Sequence, residues 1–185
     1  MRTFLAVDIC EEVRAAISSL LGGLKSIDPG VKWVDPGNMH ITLLFLGDID
    51  ETTLQRIVDI SLETVRGMRR FTVEVNGIGG FPSLSVPRVA WVRVKDDGGE
   101  LGCIYGGLRE MILAERLPFT VEKRGYTPHI TIGRFKKRPD RKLLESIEAR
   151  KEQQFGSCEV RGIVLYRSTL TRRGAVYDRL REFLF

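Results

Sequence analysis

Two hydrophobic rhythms take turns along this chain, and together they predict a series of short strands and helices. Thr3 to Ile9 is a run of β-branched and apolar residues that predicts a strand. From Glu11 to Leu24 the apolar positions Val13, Ile17, Leu20, Leu21 and Leu24 fall on one stripe behind an acidic start, which predicts a helix. Gly22-Gly23 weakens its end, and Asp28-Pro29-Gly30 supplies a turn. Val31 to Val34 reads as a short strand, Pro36-Gly37 as a turn, and His40 to Leu46 as a strand closed by Gly47-Asp48. Glu51 to Arg66 has helical spacing at Leu54, Ile57, Val58, Ser61 and Val65.

The second half repeats this order. Strand Phe71 to Ile78 leads through a Gly79-Gly80-Phe81-Pro82 loop, ending at Pro87, into strand Arg88 to Val94. A helix from Gly99 to Glu115 turns Leu101, Ile104, Leu108, Met111 and Ile112 inward, although Gly106-Gly107 lies inside it and glycine costs a helix about 1 kcal/mol relative to alanine. A strand around Pro118, a strand from Pro128 to Phe135 and a helix from Arg141 to Lys151 follow. Strands Ser157 to Thr171 and Ala175 to Phe183, separated by an Arg173-Gly174 turn, finish the chain. Strand-helix-strand-strand thus occurs twice, which predicts an α+β, duplicated two-lobed fold. Its expected form is two antiparallel sheets with outer helices around a central groove, related by a pseudo-twofold axis. Residues 1–185 are expected to form one domain of two interleaved lobes. A groove between lobes is a usual place for a substrate.

The chemistry is concentrated in the chain's two histidines, each two residues before a threonine: His40-Ile41-Thr42-Leu43 and His129-Ile130-Thr131-Ile132. On a strand, positions i and i+2 share a face, so each segment presents an imidazole and a hydroxyl together while its aliphatic residues turn to the core. With eleven threonines in 185 residues, chance gives each histidine roughly a 6% probability of this neighbour, and both roughly 0.4%. A lone strand histidine usually satisfies a backbone carbonyl, but core packing gives no reason for a matched pair. Two facing copies would supply two proton-transfer groups and two hydrogen-bond donors, the inventory of an in-line displacement at phosphorus.

A net charge of +5 favours an anionic partner without identifying it. Arg134, Lys136, Lys137, Arg138, Arg141 and Lys142 follow the second histidine and would form a basic rim for a polyanion; Arg66, Arg69 and Arg70 form a second group that reads equally as a solvated face. By parity Arg134 falls on the opposite strand face from His129, lining the groove edge or simply solvated. Phe4 and Tyr126 are candidates for stacking on a nucleobase or for the core, and Arg124 for a backbone phosphate or an exposed strand edge. Trp33 and Trp91 read as packing. Cys10, Cys103 and Cys158 have no metal-ligand spacing; their odd number and the short apolar run at Met1 to Asp8 predict reduced thiols in the cytoplasm and no membrane insertion. Two asparagines and three glutamines beside abundant arginine and glutamate match the composition of heat-adapted proteins.

Almost the whole chain resembles the two-histidine (2H) phosphoesterases, and within them the RNA 2′,3′-cyclic phosphodiesterases, also called 2′-5′ RNA ligases. The resemblance is carried by Arg2-Thr3-Phe4-Leu5-Ala6-Val7, by Val31-Lys32-Trp33-Val34 and by Asn38-Met39-His40-Ile41-Thr42-Leu43-Leu44-Phe45-Leu46-Gly47. Gly79-Gly80-Phe81-Pro82, Arg88-Val89-Ala90-Trp91-Val92, Arg124 through Arg134, and Leu165-Tyr166-Arg167-Ser168 carry it further. It implies hydrolysis of a terminal 2′,3′-cyclic phosphate to a 2′-phosphate without metal or other cofactor, His40 acting as proton donor and His129 as proton acceptor. Thr42 and Thr131 would donate to the non-bridging oxygens. The implied partner is RNA with a cyclic phosphate end, or tRNA halves joined by 2′-5′ ligation, and the protein is expected to be a monomer. An RNA-end binding module without turnover is the alternative from another class. A metal-dependent phosphodiesterase would need several His and Asp ligands, and two histidines already committed to threonines leave too few.

Overall fold

The computed structural model describes residues 1–117, 125–172 and 174–185; the strand expected around Pro118, Arg124, and Arg173 of the last turn lie outside the described residues. The strands are β1 (Arg2–Asp8), β2 (Lys32–Trp33), β3 (His40–Asp48), β4 (Phe71–Phe81), β5 (Val89–Lys95), β6 (His129–Arg134), β7 (Gln154–Val160), β8 (Gly162–Thr171) and β9 (Gly174–Leu184). The helices are α1 (Glu11–Ile27), α2 (Glu51–Val65), α3 (Glu100–Ala114) and α4 (Arg141–Glu148). The strands run antiparallel in the order β7-β4-β5-β6-β3-β1-β8-β9, with β2 also beside β6. The two expected sheets are the two halves of this order, fused by one residue pair, Ile41 with Ile130.

Across that pair β3 corresponds to β6, β1 to β5, α1 to α3 and α2 to α4. The helices are exchanged between halves: α1, which follows β1, packs on β7 and α4, whereas α3 packs on α2 and β3. The stripe Val13, Ile17, Leu20, Leu21 and Leu24 is the buried side of α1. That helix runs through Gly22-Gly23 to Ile27, because both glycines face open space and cost only intrinsic propensity. Gly106-Gly107 does not break α3 either. A Cβ on Gly107 would lie 3.3 Å from Thr64 Cγ2 of α2, so the missing side chain lets the two helices approach. Asp50 caps α2 by accepting from the Thr53 N–H at 2.7 Å, and that bond holds its carboxyl pKa below the usual value.

Three expectations change. The Gly79-Gly80-Phe81 segment is strand rather than loop, paired with Trp91, Ala90 and Val89; a Cβ on Gly79 would overlap the Trp91 ring. Ser157 to Thr171 is two strands, not one. Arg161 alone carries the chain from β7, at one end of the strand order, to β8 near the other. That short step is possible because the sheet curls into a half-barrel whose ends meet, with Phe71 of β4 stacked on Phe185 at 5.9 Å. Finally, Cys10 and Cys158 form a disulfide rather than two thiols, their Cα atoms 5.5 Å apart, leaving Cys103 free and exposed. A separation of 148 residues gives the sequence no spacing from which to read it.

Candidate active site

Ile41 and Ile130 are wholly buried, and the half-buried His40, Thr42, His129 and Thr131 alternate with them onto the opposite face. The two imidazoles are wired alike. His40 Nδ1 donates to the Asn38 carbonyl at 2.8 Å, and His129 Nδ1 donates to the Thr127 carbonyl at 2.7 Å. A carbonyl only accepts, so Nδ1 keeps its proton and Nε2 is the nitrogen left to exchange one. For His40 that nitrogen lies 3.0 Å from Thr42 Oγ1. Burial pushes the His40 pKa below its ordinary value; the Asn38 bond and Asp8 oppose the shift, while His129 and Arg134 add to it.

An identical irregularity follows both motifs. Leu5 pairs with Leu44 but Ala6 with Thr42, and Ala90 pairs with Gly133 but Trp91 with Thr131. Leu43 and Ile132 are therefore extra residues, and each bulge inverts the alternation beyond it. Leu43 and Leu44 are both buried, as are Ile132 and Gly133. Arg134 consequently shares the face of His129 and Thr131, which corrects the parity reading, and its charge reaches His40. Phe45, the position in β3 equivalent to Arg134, is brought by the same step to the face of His40 and Thr42, where it is 53% exposed.

Aromatic rings wall both histidines. Phe4 lies 4.8 Å from His40, with Tyr166 and Tyr177 also against it at 5.2 and 4.9 Å. At 2% exposure Phe4 has no open face for a nucleobase, so of its two readings the core one fits and the base-stacking one does not; its ring supports that of His40. Phe81 and Trp91 lie 5.3 and 6.0 Å from His129. Tyr126 stacks on Tyr105 of α3 at 4.6 Å and donates to the Thr42 carbonyl at 3.3 Å, bracing the first motif strand. Its burial raises its pKa and keeps the phenol protonated.

Beside His40, a cavity of about 210 Å³ is lined by Asp8, Arg14, His40, Tyr166, Tyr177 and Arg179 among others. Asp8, the cross-strand neighbour of His40, accepts from Tyr166 Oη at 2.5 Å and pairs with Arg179 Nη1 at 3.0 Å. Burial and that bond raise the Tyr166 pKa. The equivalent neighbour of His129 is Arg93. Phe45, Asp8 and Tyr177 are the members that sequence reasoning missed: a bulge hid the first, and only strand register reveals the other two. Among the described residues no three His, Cys, Asp or Glu side chains converge as a metal site would require. No helix among them is long and apolar enough to cross a membrane.

Known proteins resemble this chain over nearly its whole length. The profile of the LigT-like phosphoesterase family matches residues 7–91 and 107–177. A protein of Archaeoglobus fulgidus named RNA 2′,3′-cyclic phosphodiesterase is 36% identical, with 99% of each chain covered. One of the same name from Thermotoga maritima is 38% identical over 100% of this chain and 96% of its own. The crystal structure of TT0787 from Thermus thermophilus superposes with a TM-score of 0.81 at 31% identity, covering 100% of this chain and 97% of that one. E. coli LigT complexed with 3′-AMP shares the fold at a TM-score of 0.77 and 23% identity, with 99% and 97% covered. A family profile matched over most of the chain, relatives 36–38% identical along nearly its full length and a shared fold make this chain a member of the LigT-like phosphoesterases.

Proposed function

We propose that the protein hydrolyses the 2′,3′-cyclic phosphate at the end of an RNA to a 2′-phosphate, a reading supported by relatives named RNA 2′,3′-cyclic phosphodiesterase. The observation that carries this reading is the matched wiring of two imidazoles, each with Nδ1 tied to the carbonyl two residues earlier and Nε2 left for proton exchange. Water attacks phosphorus as His129 takes its proton; the bond from phosphorus to O3′ breaks as His40 gives O3′ a proton. Thr42 and Thr131 donate to the non-bridging oxygens, and Arg134 offsets their charge. Neither metal nor other cofactor is needed. The reading carries with it a monomer, a single domain of interleaved lobes and a cytoplasmic setting; intracellular disulfides are known in heat-adapted organisms.

One observation favours the opposite polarity. Burial disfavours the charged form of His40, which would suit it as the base. An aryl phosphodiester, whose leaving group needs no proton, separates the two. If His40 is the donor, H40A recovers on that ester and H129A does not; the reverse pattern exchanges the roles. Joining of 2′-5′ ends in tRNA halves would use the same groups in the same order, with a 5′-hydroxyl in place of water; cleavage of the 2′-5′ bond would reverse them.

The primary test is an oligoribonucleotide ending in a 2′,3′-cyclic phosphate, incubated with the protein in excess chelator. A 2′-phosphate should appear, and H40A and H129A should each slow turnover by about 10²- to 10⁴-fold. Binding without turnover would leave only an RNA-end module, and loss of activity in chelator would remove the metal-independent mechanism.

A further inference from the structure

In the displacement described above, the attacking oxygen reaches phosphorus from the His129 side, while O3′ departs on the His40 side. Whatever stands beyond His129 therefore faces the nucleophile. Across from His129 on β5 is Arg93, in the same register that pairs Trp91 with Thr131, so its side chain leaves the sheet on the face of the histidine. Across from Arg93 on β4 is Asn76. A water molecule needs neither group.

Both side chains have bonding capacity to spare. Arg93 is exposed, and neither its guanidinium nor the Asn76 amide has a hydrogen-bond or ion-pair partner among the described residues. Glu74, two residues before Asn76, and Asp97, just past β5, both pair with Lys95 instead, at 3.7 and 2.8 Å. The guanidinium lies against β4 where that strand bulges at Gly77; a Cβ on this glycine would stand 3.4 Å from its Cζ. It is thus held one strand further from phosphorus than the residue's own strand, β5. That is the place of a neighbouring charge rather than of the reacting one.

A nucleophile that brings such a charge with it is the 5′-hydroxyl of a second RNA strand, whose next phosphate follows one nucleotide later. We propose that Arg93, with Asn76 beside it, is the subsite for that phosphate, so that the groove takes two RNA strands joined, or to be joined, by a 2′-5′ bond. This assignment rests on the phosphodiesterase reading above, with His129 on the side of the attacking oxygen, and adds a second strand to its substrate. In cleavage, the 3′-hydroxyl of the first strand gives its proton to His40 and bonds to phosphorus. The bond from phosphorus to O5′ breaks as O5′ takes a proton from His129, leaving a cyclic phosphate and a 5′-hydroxyl. Joining is the same step run backward.

The test compares the wild-type protein, R93A and R93K on two 2′-5′-linked substrates. One is adenylyl-(2′-5′)-adenosine; the other carries a 3′-phosphate on its second adenosine and is otherwise identical. In the wild type that phosphate should lower KM on the order of ten-fold; R93A should abolish the advantage, and R93K should restore part of it. Any effect of Arg93 on proton transfer at His129 falls on both substrates and cancels in their ratio. No advantage in the wild type, an undiminished one in R93A, or a wild type that hydrolyses a cyclic phosphate yet cleaves neither 2′-5′ bond overturns the subsite. Analogues with 3′-deoxyadenosine in the first position lack the attacking hydroxyl, so their binding, followed by calorimetry, separates this failure from failure of the enzymatic reading. Even with a wild type inactive on every substrate, a Kd weakened about ten-fold in R93A for the analogue bearing the 3′-phosphate upholds the subsite, and an unchanged Kd overturns it.

Discussion

A histidine that exchanges protons must keep one nitrogen free and the other fixed, and both motif histidines meet that demand through the backbone carbonyl two residues before them. Their environments then diverge. His40 is enclosed by Phe4, Tyr166 and Tyr177, and that enclosure lowers its pKa below about 6.5. The consequence for stability has a definite sign. Between the lowered folded value and the unfolded one, the unfolded chain binds a proton that the folded protein refuses, so stability rises with pH across that window and is lost on acidification below 6.5. Replacing His40 by glutamine should flatten this part of the profile. Thermal unfolding from about pH 5 to pH 8 checks it; an unchanged slope in H40Q would assign the dependence to other groups.

Bulges and glycines decided how much of each element could be read in advance. The helices were legible because their buried stripes are long, and the twin strands because both motifs repeat. Arg134 and Phe45 were misread or missed because alternation carries no mark of an inserted residue, and one bulge exchanges the two faces for everything after it. The break at Arg161 was illegible because β7 and β8 join without a turn residue before Gly162. Two glycines of α3 make a paired prediction. Gly102 faces open space, so G102A should stabilise by about 0.5–1 kcal/mol. Gly107 sits against Thr64, so G107L should destabilise by about 1–3 kcal/mol through overpacking between helices. Denaturant unfolding of both variants decides the matter; equal effects would mean that α2 and α3 do not depend on close approach.

For the whole molecule, duplication places the site at a seam and a basic strip at one end of it. Lys136 and Lys137 are exposed just past Arg134, and each contact of such a cation with single-stranded RNA should add about 0.7 to the slope of log KM against log salt. K136E/K137E should therefore flatten the salt dependence on long oligoribonucleotides and leave a mononucleotide cyclic phosphate little affected. Equal salt slopes for both proteins on the long substrate would remove the strip from the RNA path. Because the two imidazoles hang from their strands by the same carbonyl tether, neither is committed by its own anchoring to giving or taking a proton. Direction must be imposed from outside the pair, by neighbours that break the twofold likeness: a carboxylate, Asp8, across from one ring and a guanidinium, Arg93, across from the other. The shared tether supplies two equivalent tools, and the unlike groups across from them tell each which way to work.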